Sequence, residues 1–393
     1  MAIHLPPETR TALGEGLLPE CKSRSLFKDR FADPESTADS RKAWFNALIT
    51  RKAEARKTSE WLPDRAELLH ARLMSRLLVD LGGGVMENAN VQLDRYGIPV
   101  IPGSAVKGCA RRMALQALHD WVEAKSERPE TDDVCGPCCD GFSNHAALLA
   151  AIARIFGWTP EDWTAERTKN GHFKSDFAWA TKGDEGILKH AKLSNPGFDT
   201  FSGSIAFLAA SPNRDPGLEL DVVTPHHAIY HSPEPDRHRD PKKWEIWQAH
   251  RNAPDVEDPI PVYFPAVRSQ DENDYFTFPL ISLRLANKGD MDFAKRWLAH
   301  GLEILGLGAK TSAGYGWFQN VTHTIEGHHL LAKRLDALEA EFAGFELWPT
   351  DQKDTALLQL LDRKEDCRIW LQSNRTLFRT INAYAMTQSL TLE

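Results

Sequence analysis

The stretch Gly306-Leu307-Gly308-Ala309-Lys310-Thr311-Ser312-Ala313-Gly314-Tyr315-Gly316 crowds four glycines, a lysine and a tyrosine between two apolar patterns. Upstream, Phe293, Trp297, Leu298, Leu302 and Leu305 recur at helical spacing and predict an amphipathic helix over residues 290–305. Downstream, Tyr315, Trp317 and Val321 read as a short strand. Glycines at such a junction let backbone N–H groups approach a ligand that a Cβ would hold off. The order helix, loop, strand decides against two obvious ligands. A P-loop needs glycine directly before Lys-Ser/Thr, after a strand and ahead of a helix, but Ala309 precedes Lys310 and the order is the reverse. A dinucleotide fingerprint would place its third glycine at 311, where Thr311 stands.

The rest of the chain supplies the frame. Residues 1–70 are polar and read as partly helical, best over 41–56. Leu73, Ser75, Leu77 and Val79 alternate with Met74, Arg76, Leu78 and Asp80 and predict a first strand, ended by Gly82-Gly83-Gly84. Two prolines hold Tyr96-Gly97-Ile98-Pro99-Val100-Ile101-Pro102-Gly103-Ser104 extended, and Ser104 is placed to N-cap a helix reaching about residue 125. On it Ala105, Cys109, Met113 and Ala117 share an inward stripe, while Lys107, Arg111 and Arg112 fall outward. A helix over 145–156 and an apolar strand over 203–210 follow. Residues 211–260, dense in proline and charge, read as an excursion from the core. Strands over 261–268 and 275–285, joined by a polar turn at 269–274, lead into the helix, loop and strand around Lys310. Residues 327–393 show three helical patterns.

Without insertions the order is strand, helix, strand, strand, helix, strand. That is the split βαβ order of an α+β, ferredoxin-like (RRM-like) fold. The expected organisation is a polar segment over 1–70 and a core over 71–325, with insertions at 126–200 and 211–260. A helical extension follows over 326–393.

Composition is that of a globular protein, 42% hydrophobic and 26% charged across 393 residues. No apolar run reaches bilayer length and the first residues lack a secretory pattern, so the expected compartment is the cytoplasm, with no membrane partner. The net charge of −8 excludes a uniformly basic nucleic-acid binder. Locally the balance differs: residues 94–112 hold one acid against Arg95, Lys107, Arg111 and Arg112, and residues 306–321 hold Lys310 and no acid. A nucleic-acid surface confined to one face fits that distribution.

Two further clusters carry possible chemistry. The six cysteines are scattered unevenly and do not suggest a disulfide framework. Cys135-Gly136-Pro137-Cys138 has thioredoxin spacing but follows no strand. The reading adopted is a loop of reduced thiols with no cofactor. A zinc clip of Cys135, Cys138 and Cys139 with His145 or Cys21 is the alternative. Thr224-Pro225-His226-His227-Ala228-Ile229-Tyr230 could act on an RNA 2′-hydroxyl, yet neighbours on a strand face opposite ways, which favours contact or stacking over catalysis. No Ser-His-Asp set, His-Glu-x-x-His helix or carboxylate cluster is present.

Together these pieces resemble a known family. The run from Tyr96 to Gly108 looks like the Pro-Gly-Ser-Ser-x-Lys-Gly signature of RAMP proteins, the repeat-associated RNA-binding subunits of CRISPR effectors. The loop Gly306-x-Gly308-x-Lys310-Thr311-x-x-Gly314-Tyr315-Gly316 looks like that superfamily's glycine-rich loop. Asp221-Val222-Val223-Thr224-Pro225-His226-His227 is similar to a segment of the sixth-subunit family of the type III-B (Cmr) effector. The resemblance implies a ferredoxin-like core with a thumb-like insertion at 211–260. It also implies a non-catalytic subunit at one end of the backbone filament, among other RAMP subunits. Its partners would be the 3′ side of the CRISPR RNA and target RNA paired with the guide. The implied RNA contacts are Ser104, Lys107, Gly108, Arg111, Gly306, Gly308, Lys310, Thr311, Gly314 and Tyr315, with His226 and His227. Ala105 replaces the signature's second serine, and the loop that holds a cutting aspartate in catalytic relatives has Glu87 as its only acid. The competing function is a metal-independent repeat-processing endoribonuclease using His226 or His227.

Overall fold

The helices α1 (Arg24–Arg30) and α2 (Ala38–Ile49) precede strand β1 (Glu67–Leu73) and helix α3 (Gly103–Ala124). An insertion follows, made of α4 (His145–Phe156), β2 (Gly157–Trp158), α5 (Asp176–Ala180), α6 (Glu185–His190) and β3 (Phe201–Ser202). The chain re-enters the sheet as β4 (Ile205–Phe207) and β5 (Ser211–Pro212). It then leaves through β6 (Leu218–Val223), α7 (Pro241–Ala249) and β7 (Val262–Val267). Next come β8 (Phe276–Ser282), α8 (Asp290–His300) and β9 (Phe318–Asn320), and then α9 (Thr322–Glu341), α10 (Thr350–Leu361) and α11 (Thr376–Thr387). The computed structural model describes residues 23–30, 38–53, 65–79, 91–124, 136–193, 200–224, 233–251, 261–283, 286–363, 367–370, 373, 376–390 and 392.

The architecture is α+β, with every named ladder antiparallel. β1 lies between β8 and β9, giving the order β4-β8-β1-β9 with β5 also on β8. Period-two alternation puts Leu69, Ala71, Leu73, Phe276, Phe278, Leu280 and Phe318 in the core, where Phe318 meets Phe276 and Phe278 edge-on at 5.9 and 5.7 Å. The same core receives Val106, Cys109 and Met113 from α3 and Ala294, Trp297 and Leu298 from α8. The Trp297 indole, fully buried, donates to the Cys138 carbonyl at 2.9 Å, which satisfies its one polar atom. Asp290, also buried, accepts from the Arg154 guanidinium (2.7–3.1 Å), the Ser204 hydroxyl (3.0 Å) and the Asn287 N–H (2.9 Å). It ties α4, the turn before β4 and the start of α8 into one corner.

The chain divides into two compact units, one ending at Asn320 and the other beginning at Val321. The second has its own core, built on Phe342, Phe345, Leu357, Trp370 and Phe378. Among the described residues no helix is long and apolar enough to cross a membrane.

Several sequence expectations need correction. The first strand is not over 73–79 but ends at Leu73. Leu77, Leu78 and Val79 are all buried, which a strand with one wet face could not arrange. Residues 74–79 instead form a strap. The Met74 N–H donates to Trp317 (2.8 Å), Leu77 exchanges two 3.0 Å bonds with Val267, and the Leu78 carbonyl accepts from Ala309 (2.8 Å). The neighbouring strands β7 and β8 do not pair with each other: β7 forms a ribbon with β6, and β8 joins β1. The helix expected over 290–305 stops at His300 and widens into a π-turn, Gly301–Leu305. Gly301 sits against α3, where a Cβ would lie 3.0 Å from the Cys109 carbonyl oxygen. The strand around Tyr315 shrinks to Phe318–Asn320, because Tyr315, Gly316 and Trp317 bond to the loop and strap instead.

Candidate nucleic-acid interface

α3 supplies the first half of the site. It starts at Gly103, not after a Ser104 cap: the Ala105 and Val106 N–H groups donate to the Pro102 carbonyl at 2.9 and 3.1 Å. Only glycine fits at 103, since a Cβ there would overlap the Phe207 carbonyl of β4. Ser104 is exposed in the first turn. Lys107, one turn on, is half-buried, and its pKa is lowered by burial and then by the Arg111 charge. A partly desolvated ammonium beside a guanidinium gains from a bound anion. Gly108 is exposed with open space where a Cβ would stand. Arg111 is more committed than an outward-facing residue suggested: it pairs with Asp176 at 2.8 Å and lies 4.9 Å over the Phe177 ring.

The glycine loop supplies the second half, and most of its glycines serve the protein itself. Side chains at Gly308 (φ 99°) and Gly316 (φ 69°) would overlap the Leu78 and Leu307 carbonyl oxygens. At Gly306 (φ 69°) a Cβ would stand 3.1 Å from Gly316 and Thr311 atoms. The N–H groups of Leu307, Ala309, Ala313, Gly314, Tyr315 and Gly316 all donate to protein carbonyls. The expectation that these glycines open the backbone to a ligand is therefore corrected for 306, 308 and 316. Gly314 (φ 92°) is exposed and unobstructed. Thr311 is half-buried, and its carbonyl accepts from the Trp317 indole at 3.1 Å.

Lys310 adopts left-handed backbone (φ 57°) and holds its ammonium 4.2 Å over the Phe264 ring. Tyr315 is half-buried and donates its hydroxyl to Asp221, with its ring centroid 6.4 Å from that of Phe264. Burial and then that carboxylate push its pKa up to about 12. Arg76 of the strap reaches Asp221 at 2.9 Å and also pairs with Glu219. The absence of acid along 306–321 thus fails in space, because β6 brings two carboxylates to the loop. Asp221, Arg76 and Phe264 are the residues that sequence reasoning missed. Asp221 was in view as part of a motif, but nothing in the chain showed that β6 would pack against residues about 90 positions later.

The two halves meet. The Cys109 thiol of α3 lies 3.7 Å from the Gly306 carbonyl, although 197 residues separate them. His226, His227, Cys135, Cys21 and Glu87 lie outside the described residues. Cys138 and Cys139 are buried against α3 and α8, the Cys139 thiol donating to Ala117 at 3.6 Å, and burial pushes the Cys138 thiol up to about 12. A thiol so raised is the opposite of a redox nucleophile. His145 packs edge-on to Trp121 at 4.8 Å, with its pKa lowered by burial. Among the described residues no three His, Cys, Asp or Glu side chains are grouped to hold a metal.

The described fold is an antiparallel sheet with α3 and α8 packed into its core and a glycine loop abutting α3. The chain belongs to the RAMP superfamily, whose model matches residues 70–319. It is similar to CRISPR system Cmr subunit Cmr6 of Pyrococcus furiosus (strain ATCC 43587 / DSM 3638 / JCM 8422 / Vc1), with 27% identity over 276 residues, spanning 64% of this chain and 69% of that protein. The crystal structure of Cmr6 from Pyrococcus furiosus aligns over 65% of this chain and 97% of that one, at 20% identity and a TM-score of 0.29.

Proposed function

We propose that this chain is a non-catalytic, cytoplasmic RNA-binding subunit of a type III-B CRISPR effector. In this reading it holds the 3′ side of the CRISPR RNA and the guide–target duplex at one end of the backbone filament, beside other RAMP subunits. The observation that carries it is the junction of α3's first turns with the glycine loop at Cys109 and Gly306. That junction joins the helix carrying Ser104, Lys107 and Gly108 to the loop carrying Lys310 and Gly314, and cations with exposed glycines suit binding to backbone rather than to sequence. The strand order β4-β8-β1-β9, with α3 and α8 as the crossovers, supports a ferredoxin-like core. The β6–β7 ribbon, with everything from 224 to 261 between its strands, supports a thumb-like insertion. The sixth-subunit relative supports the complex.

The test uses the assembled complex with its guide RNA. Lys107→Ala and Lys310→Ala are each expected to weaken guide retention and to lower the slope of log affinity against log salt by about 0.7, the value for one phosphate contact on a single strand. Unchanged retention and slope in both variants would overturn the reading. Repeat-RNA cleavage in EDTA that is lost in His226→Ala would replace it with the nuclease.

A further inference from the structure

Between the turn Pro160–Asp162 and α5 the chain makes a small hairpin that no motif singled out. Arg167 and Phe173 form its bridge, with Thr168 N–H to His172 carbonyl at 2.7 Å, Lys174 N–H to Glu166 carbonyl at 2.9 Å, and a turn closed by Gly171 N–H to Thr168 carbonyl at 2.9 Å. The Arg167 guanidinium lies 3.7 Å over the Phe173 ring and donates to the Gly171 carbonyl at 2.8 Å. Residues 165–172 are all exposed, and the hairpin is held by its own pairing, by this stack and by the Phe173 ring lying against Gly183. It carries Arg167, Lys169 and Lys174 against Glu166 alone, with His172 beside the turn. Glu166 is spanned by Lys174 at 2.7 Å, and Lys169 extends from the tip.

The hairpin's base stands on the α3 surface. The Ser175 hydroxyl donates to the Asp162 carbonyl and closes the base. Asp162 acts electrostatically on Lys107, and Asp176 pairs with Arg111. A preformed, solvated hairpin with an excess of basic residues thus stands beside Lys107 and Arg111 of α3, with Asp162 and Asp176 at its base. It loses little conformational entropy on binding, because the Arg167–Phe173 stack has already ordered it.

We propose that the hairpin 166–174 is a second RNA-backbone contact, extending the α3 site and gripping phosphates through Lys169 and Lys174. This rests on the RNA-binding reading above. The ligand class is a polyanionic phosphodiester chain: the exposed tip offers the Lys169 ammonium and an Asn170-Gly171 turn, groups that meet phosphates rather than base edges.

The experiment is Lys169→Ala with Lys174→Ala in the assembled, guide-loaded complex, alongside Lys107→Ala. The expected result is roughly tenfold weaker guide retention near physiological salt, with the salt slope lowered by about 1.4 for two contacts. Photocrosslinking of thiouridine-bearing guide in the unaltered complex should place RNA adducts within 166–174. If Lys107→Ala weakens retention while the double variant leaves slope and retention unchanged and no adduct falls in 166–174, the hairpin proposal is wrong and the site reading stands. If neither variant has an effect, both fall. If the double variant instead releases a neighbouring subunit with the salt slope intact, the hairpin is a protein contact and the proposal is overturned.

Discussion

At the scale of single residues, the glycine loop separates into two kinds of position. Gly308 and Gly316 combine positive φ with a Cβ direction blocked by backbone carbonyls, so neither strain nor overlap can be relieved by a side-chain shift. Gly314 has the positive φ and nothing in the way. Gly308→Ala and Gly316→Ala are therefore expected to destabilise the chain by about 3 kcal/mol or more, and Gly314→Ala by only ~1–2 kcal/mol, the left-handed penalty alone. Urea midpoints of the three variants check this. Equal losses at 308 and 314 would mean that the Leu78 and Leu307 carbonyls do not confine the loop.

At the scale of elements, Asp290 makes the junction of α4, the β4 turn and α8 depend on pH. Burial alone would raise its pKa, but the hydrogen bonds and charge of Arg154, with the Asn287 N–H and the Ser204 hydroxyl, more than offset it and lower the pKa. A carboxylate depressed in the folded state contributes stability that is complete above its unfolded value near ~3.9 and is lost as pH falls through the folded value. Asp290→Asn is expected to cost about 2–3 kcal/mol at pH 7, below the ~3–5 kcal/mol of a fully buried pair because the Arg154 side chain keeps 32% exposure. Unfolding midpoints followed from pH 7 to 3 should converge for the two proteins toward the acid end; parallel curves would remove Asp290 from this role. The helices over 145–156 and beyond residue 326, and the strand β8, were legible from their own apolar patterns. The phase of β1 was not, since both 67–73 and 73–79 alternate and only pairing with Phe276 and Phe278 chooses between them. The partners of Tyr315 and Lys310, Asp221 and Phe264, were hidden for the same reason: they lie on a ribbon whose packing is set by the strap, not by any local pattern. The helix α3 was legible from its apolar stripe, apart from its start, which lies at Gly103 against the Phe207 carbonyl rather than after a Ser104 cap.

At the scale of the molecule, both halves of the proposed site, the Asp290 corner and the hairpin at 166–174 fall within the unit ending at Asn320. That unit also contains the whole superfamily match, 70–319. β9 ends at Asn320 and supplies the pairing that β1 needs on one side, so a chain ending there loses no strand among the described residues. The second unit buries Phe342, Phe345, Trp370 and Phe378 among themselves, and a core in a chain so short supplies only ~3–5 kcal/mol. A chain truncated after Asn320 is therefore expected to keep the unfolding midpoint of the first unit and the guide retention of the full complex. Residues 321–393 expressed alone should unfold cooperatively at low urea. Calorimetry and denaturant titration of the full chain and both pieces provide the measurement. Collapse of the first unit's transition on truncation would show that its fold needs contacts from beyond Val321, whereas retained folding with lost guide retention would place part of the RNA grip in the second unit.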